Sequence, residues 1–466
     1  MEGSGQKLGN RLFLIIQLII GKDDDHIWSK QYDREIQKVE DLIDIQSEIA
    51  QLVAAEIEAI ITHEEKQLIE KIPTTSLTAY DFFQRGRAEH EKYLLDRKNI
   101  EALKQAENFY YKALEHDSTF AQAYTGLALV YWHKYIWNEI LDENFMDSVL
   151  ILTDVALSFD DQLSEAYVIR GDYYGRLNQK RKAINEYDKA IKINPNDWLA
   201  YMQRGFLHNY DDLVKTLDDL HKAASLHRGP FLPEILLRLE FTYSNAGFNE
   251  RARHCAKEIF KLDEDSATYY DALAFLEESI GDYEKAIEYD EIAYAIDSTR
   301  YWILNHLGLY HSYLNESEES LRYWKEYDRR YKVLSKTNTQ NIFRIGYTYW
   351  VNGFKEEAQY YFNSGFEYYN KMSEMDRRSS SFVGPYYPLA TAYAFLGDKE
   401  KAFENLRLYY RESMKQLFMV SLIKIDPMLN SLRDEPEFLQ IVKKLEADYE
   451  AEHERVRQWL EENDLL

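Results

Sequence analysis

Residues Ser164 to Pro195 read SEAYVIRGDYYGRLNQKRKAINEYDKAIKINP, and this stretch decides the fold. Apolar positions recur at helical spacing on either side of a short polar turn, and Pro195 closes the second run. Small residues stand where two helices must cross closely, at Gly171, Ala183 and Ala190. Bulky ones fill the space between, at Tyr167, Tyr174 and Tyr187. The stretch Ala267 to Ser298 repeats the pattern about three periods of ~34 residues downstream. Its Leu273, Ala274, Ala286 and Ala293 fall at the same offsets.

That recurrence is the signature of a tetratricopeptide repeat, a helix–turn–helix unit that buries its apolar face only against its neighbours. The predicted fold class is therefore all-α: a superhelical solenoid of such repeats, with a small α/β remnant at the N-terminus. Working outward, the pattern predicts about nine repeats across 79–425. The first keeps Gly86, Ala106, Tyr110 and Ala113 around an insertion at Leu94 to Arg97. The second keeps Tyr124, Leu127, Ala128 and Tyr131, with an insertion around Trp137 to Phe145 before Ala156. Later units are marked by Gly205 and Ala224, Gly247 and Ala252, Gly281 and Ala286, Gly308, Gly346 and Ala358, and Gly397 and Ala402. Residues 426–466 are expected to cap the array, because a terminal repeat needs a polar outer face. A partner-binding helix carrying Trp459 and Leu460 is the alternative.

The composition suits this architecture. The 466 residues include 38 Tyr and 22 Phe, a supply of wedges between helices. With 56 Lys+Arg against 81 Asp+Glu the net charge is −25, which argues against a nucleic-acid surface, since that needs clustered cations. It favours a basic or apolar partner. The single cysteine, Cys255, excludes an internal disulfide and a cysteine-rich metal site, and is expected to pack as a small core residue. No run approaches the ~18 apolar residues of a membrane helix. The apolar run Leu12 to Ile20, LFLIIQLII, has a signal peptide's basic flank in Lys7 and Arg11. However, Gln17 interrupts it and Gly21-Lys22-Asp23-Asp24-Asp25 replaces a cleavage site. It reads as a strand covered on both faces, and a cytoplasmic location is the default.

Residues 1–73 do not follow the repeat. After the strand, Asp41 to Ile61 has helical spacing, with Leu42, Ile45, Ile49, Leu52, Val53 and Ile57 on one side. The ordered series Glu2-Gly3-Ser4, Gly9-Asn10-Arg11, Gln17-Leu18-Ile19, His26-Ile27-Trp28-Ser29, Tyr32-Asp33-Arg34 and Gln46 with Glu48-Ile49-Ala50 carries a resemblance. So do Pro73-Thr74-Thr75-Ser76, Ala79-Tyr80-Asp81 and Gly86-Arg87. The segment resembles the closing half of a domain similar to the N-terminal domain of the TolB translocation protein. That domain precedes tetratricopeptide repeats in many bacterial signalling proteins. The resemblance implies a missing opening half and, upstream of it, a class III nucleotide cyclase or a helix-turn-helix output domain. A strand that has lost its sheet neighbours would offer an open edge, so a homodimer through Leu12–Ile20 is expected.

No catalytic constellation is visible. Gly3-Ser4-Gly5 followed by Gln6-Lys7-Leu8-Gly9 breaks the dinucleotide spacing, and no phosphate loop occurs. His63-Glu64 and His453-Glu454 lack the second histidine one turn on. His90, His208, His221 and His227 read as surface or groove residues. The chain reads as a non-enzyme with no cofactor and no metal. Its partner is expected to be a protein or peptide held on the face formed by the first helices. The ninth position of successive units gives an apolar ladder: Phe206, Phe241, Phe275, Leu309 and Tyr347. Positions one turn away add Trp302, Tyr313, Phe343, Trp350, Tyr387 and Phe395. The functional reading is an aromatic-lined groove; the alternative is that the rings pack on one another or on the C-terminal helix. The Lys and Asn carboxylate clamp of chaperone-binding repeats does not recur, since Arg344 and Val351 occupy those places. Two readings follow: an interaction scaffold, or the regulatory portion of a cyclase-like or transcription-regulator protein.

Overall fold

A computed structural model describes residues 2–20, 25–56, 61–97, 99–137, 143–177, 179–208, 212–333, 341–374, 385–412 and 417–466. The charged residues at 21–24 and the centre of the Trp137–Phe145 insertion lie outside the described residues. The chain divides into two compact units, residues 1–174 with 185–195 and residues 175–184 with 196–466.

The first unit opens with β1 (Glu2–Leu8), β2 (Arg11–Ile20) and β3 (Asp25–Glu35). They form an antiparallel sheet in the order β1-β2-β3. Gly9 at φ +62° makes the tight turn that pairs Leu8 with Arg11. The expected strand is present, but its edge and its coverage are corrected. β2 is central, with both edges hydrogen-bonded to neighbours, so the open edge on which the homodimer was expected is not there. One face only is packed: Leu12, Leu14 and Ile16 lie with Tyr32 against Leu42, Ile45 and Ile49 of α1 (Val39–Glu56). Ile15, on the other face, is 39% exposed. The run is continuous in sequence yet obeys the strand's alternation. Arg11 grips Asp33 across β2 and β3 through two hydrogen bonds of 2.7 and 2.8 Å.

After α2 (His63–Ile69), three helical hairpins follow: α3 (Leu77–Leu95) with α4 (Ile100–His116), α5 (Ala121–Trp137) with α6 (Glu143–Phe159), and α7 (Ser164–Arg176) with α8 (Lys180–Ile193). The tyrosine wedges lie directly on the small residues. Cβ atoms on Gly86 and on Gly126 would each come within 2.7 Å of the Tyr110 ring, and one on Gly171 would overlap the buried ring of Tyr187. Tyr187 cannot retreat, because its hydroxyl donates to Asp172 at 2.6 Å. Gly171→Ala is therefore expected to lower stability by about 1–3 kcal/mol through overpacking. A urea titration would read this as a lower midpoint at constant slope; an unmoved midpoint would mean that the crossing has slack. His90 is a correction to the surface reading. It is buried, with its Nε2 2.8 Å from His133 Nδ1, and burial pushes its pKa down to about 4.

The second unit contains six further hairpins among the described residues: α9 (Trp198–His208) with α10 (Leu213–Leu226), α11 (Leu232–Asn245) with α12 (Asn249–Asp263), α13 (Ser266–Ile280) with α14 (Tyr283–Ile296), α15 (Trp302–Tyr313) with α16 (Ser317–Val333), α17 (Ile342–Val351) with α18 (Lys355–Glu374), and α19 (Tyr386–Leu396) with α20 (Lys399–Glu412). The last five close identically. A left-handed residue ends each first helix: Gly247, Gly281, Asn315, Gly353 and Gly397. The next N–H then reaches back to a carbonyl five residues earlier, as in Phe248 to Tyr243 (2.8 Å) and Asp282 to Glu277 (2.9 Å). The first three of these residues fall at intervals of ~34 residues. Cys255 is buried in a core cluster with Tyr243 and Ala252. The unit ends with α21 (Leu417–Ile425), a 3-10 helix (Pro427–Leu432) and α22 (Pro436–Glu462). No helix among the described residues is long and apolar enough to cross a membrane.

Candidate functional site

The first helices of the second unit carry the predicted ladder, and the structure divides its members into three groups. Tyr313, Phe343 and Tyr387 are buried, which corrects their assignment to an open groove. Phe343 is stacked among Phe362, Phe366 and Tyr369 of its own hairpin, while Tyr313 and Tyr387 belong to the core shared with α21. Phe206, Phe241, Phe275 and Leu309 are half-buried. Phe241 stacks on Phe275 at 4.8 Å, and the Arg238 guanidinium lies 4.9 Å over Phe206. Tyr347, Trp350 and Phe395 form an edge-to-face cluster with ring centres 5.1 and 6.0 Å apart, and Lys355 Nζ sits 3.7 Å above Trp350. Trp302 is the most open, at 41% exposed.

Much of this face is filled by the chain itself. α21 lies against α11 and α13, with Ser421 Oγ donating to Ser279 O at 3.2 Å. Met419, Val420, Leu422 and Ile423 complete one core with Tyr283, Tyr310, Tyr313 and Tyr387. Asp426, fully buried between α21 and the 3-10 helix, accepts from both terminal nitrogens of Arg344 on α17, with the Nη1 contact at 2.8 Å. It also accepts from the Tyr387 hydroxyl at 2.9 Å and from Met428 N at 2.9 Å. Arg344 thus binds a carboxylate, but one from its own chain. The pair favours the charged guanidinium, whose pKa is raised against the effect of burial.

α22 continues along the unit. Arg407 holds Glu437 at 2.6 Å, and Tyr410 donates to Asp448 at 3.0 Å. Farther on, Glu452 accepts from Leu213 N at 2.9 Å, and His453 stacks on Phe248 while its Nδ1 lies 2.7 Å from Ala246 O. Trp459 and Leu460 pack into the core of α10–α12, so these two side chains serve internal contacts rather than an outside partner.

Among the described residues, a pocket of ≈ 210 Å³ lies open between α15 and α17, lined by Ser312, Asn315, Ser317, Tyr347, Thr348 and Val351. Ser312 Oγ is buried there with no hydrogen-bond partner, whereas Val351 is 42% exposed. A pocket with one unmet polar atom and an apolar rim suits a polypeptide backbone beside a small side chain.

Ionisable groups are buried along the same first helices. Burial pushes Glu240 up to about 8, opposed by a 2.8 Å hydrogen bond from Ser244. Asp271, Asp290 and His306, on α13, α14 and α15, bring three donor atoms within 4.8 Å of one another. This is the cluster among the described residues that could hold a metal. Sequence reasoning missed it because its members come from three helices at no motif spacing. It missed the cover as well, although Leu417-Phe418-Met419-Val420-Ser421-Leu422-Ile423 is apolar on all sides, the mark of a fully buried helix.

A family model of the tetratricopeptide repeat matches residues 164–197. The chain carries a tetratricopeptide repeat. Among curated proteins it is similar to one named putative adenylate cyclase 3 of Rhizobium meliloti (strain 1021), 24% identical over 151 residues, 32% of this chain. It is also similar to tetratricopeptide repeat protein 34 of Mus musculus, 32% identical over 74 residues, 16% of this chain. The matched regions span 24% and 13% of those relatives' own lengths. Among solved structures, a tetratricopeptide repeat protein from Parabacteroides merdae ATCC 43184 is similar at 15% identity and a TM-score of 0.40, covering 56% of this chain and 97% of that one.

Proposed function

We propose that this chain is a non-catalytic scaffold that binds an extended or helical segment of a partner protein along the first-helix face of its second unit. The observation that carries the reading is the pocket at Tyr347, Thr348 and Val351, flanked by the half-buried rings of Trp350 and Phe395. The neighbouring part of the face already holds polypeptide, since α21 lies on it against rigid rings, which is the chemistry that a peptide needs. The reading requires no cofactor and no nucleic acid, in keeping with the charge of −25, and places the protein in the cytoplasm.

The test compares capture from the native cell extract by wild type and by a Tyr347→Ala, Trp350→Ala, Val351→Asp variant. A protein retained by wild type and lost by the variant supports the site. Equal retention by both removes it.

A second reading is favoured by the likeness to the protein named a putative adenylate cyclase together with the TolB-like N-terminal series. On that reading the chain is the regulatory portion of a bacterial signalling protein, and the captured partner carries a cyclase or DNA-binding output domain. Mixing the two and assaying the output separates the readings, because a bare scaffold leaves that output unchanged.

A further inference from the structure

Asp290 is fully buried, and neither of its carboxylate oxygens makes a hydrogen bond. Leaving such a group unmet is strongly unfavourable, so it needs a partner. The nearest is His306 Nδ1, 3.4 Å from Asp290 Oδ2; the same nitrogen lies 3.9 Å from Asp271 Oδ1. Both His306 and Asp271 are partly exposed, so the cluster has a wall of buried carboxylate and an opening to solvent.

From this geometry we propose that Asp271, Asp290 and His306 form a binding site for a borderline first-row divalent cation, of which Zn²⁺ is the representative. Two carboxylates and one imidazole are hard-to-borderline donors that suit such an ion. Metal–oxygen and metal–nitrogen bonds of ~2.0–2.2 Å put donor atoms a little over ~3 Å apart. The separations of 3.4 and 3.9 Å need only a small inward movement of side chains. Three protein donors leave at least one position for water, on the open side.

Outer contacts of the usual kind are in place. Trp302 Nε1 donates to Asp271 Oδ2 at 3.3 Å, with an Arg300 nitrogen 3.9 Å from the same oxygen. Glu278 next to the cluster is held by the Tyr310 hydroxyl at 2.9 Å. Without an ion, a proton is the competing occupant. Burial favours the protonated form of Asp290, while for His306 burial works downward and the carboxylates of Asp290, Asp271 and Glu278 together outweigh it.

The experiment is calorimetric titration of the full chain, stripped with EDTA, with zinc chloride, repeated on Asp290→Asn, Asp271→Asn and His306→Gln. The proposal expects one Zn²⁺ per wild-type chain and affinity at least about 100-fold weaker in each variant, of the order seen when even outer contacts of a metal site are lost. Co²⁺ in place of Zn²⁺ is expected to give visible absorption bands that disappear with His306→Gln. Circular dichroism identifies any variant that has lost its fold, and the more exposed Asp271→Asn then carries the comparison. Absence of stoichiometric binding by wild type would mean that the cluster holds only a proton, and binding unchanged in folded variants would place the ion elsewhere; either overturns the site.

Discussion

Asp426→Ala is expected to destabilise the second unit by about 3–5 kcal/mol, because it leaves the buried Arg344 guanidinium without its counter-charge. The magnitude follows from burial: Arg344 and Asp426 are both excluded from water, and Tyr387 and Met428 N share the same carboxylate. The double variant Arg344→Leu, Asp426→Leu removes both charges together and should recover much of the loss, since a buried ion pair gains little over apolar residues of similar volume. Urea titrations of the three proteins give the comparison. A near-neutral Asp426→Ala would mean that the carboxylate is not buried against α17. Hydrogen exchange adds a structural readout, because amides of 417–432 should exchange faster once the anchor between α21, α17 and α19 is gone.

The second large effect has the opposite sign. Glu240, buried with Ser244 as its hydrogen-bond donor, has its folded-state pKa raised to about 8. The folded protein therefore holds a proton that the unfolded chain releases above the ordinary carboxylate range. Stability from this group is fully present below about pH 4.5, the unfolded value, and is lost as pH rises through about 8. Glu240→Gln keeps the shape without the ionisation. It is expected to raise stability at pH 8 by on the order of 3 kcal/mol and to change little at pH 4.5. Urea midpoints at the two pH values decide this; an equal effect at both would assign it to packing rather than to the proton.

The repeat was legible because its determinants are local. Gly171 and Tyr187, or Gly281 and Ala286, lie within one hairpin, and in the last five hairpins the left-handed turn residue is followed by the same backbone bond. The sheet was half legible. Gly9-Asn10 marks a turn, yet β1, reading EGSGQKL, has no apolar alternation to announce a strand. Without β1 the central strand was read as an edge. The site was legible as a row of rings but not as a surface, since exposure depends on what returns to cover it. Asp426 lies 82 residues from Arg344, and Glu452 lies 239 residues from Leu213. No spacing rule connects such pairs. Tyr313 and Tyr387 belong by sequence to the same set as Trp302, one turn from the ladder, yet they lie in the core that α21 completes.

The central claim, that a partner polypeptide occupies the first-helix face beside Tyr347, is tested most directly by site-specific photo-crosslinking in cells. A benzophenone amino acid is placed at Val351 on the pocket rim, 42% exposed, or at Tyr360 on the second helix of the same hairpin, 66% exposed. The account predicts a discrete adduct from position 351 and none from position 360. No adduct at 351, or the same adduct from both positions, would contradict it.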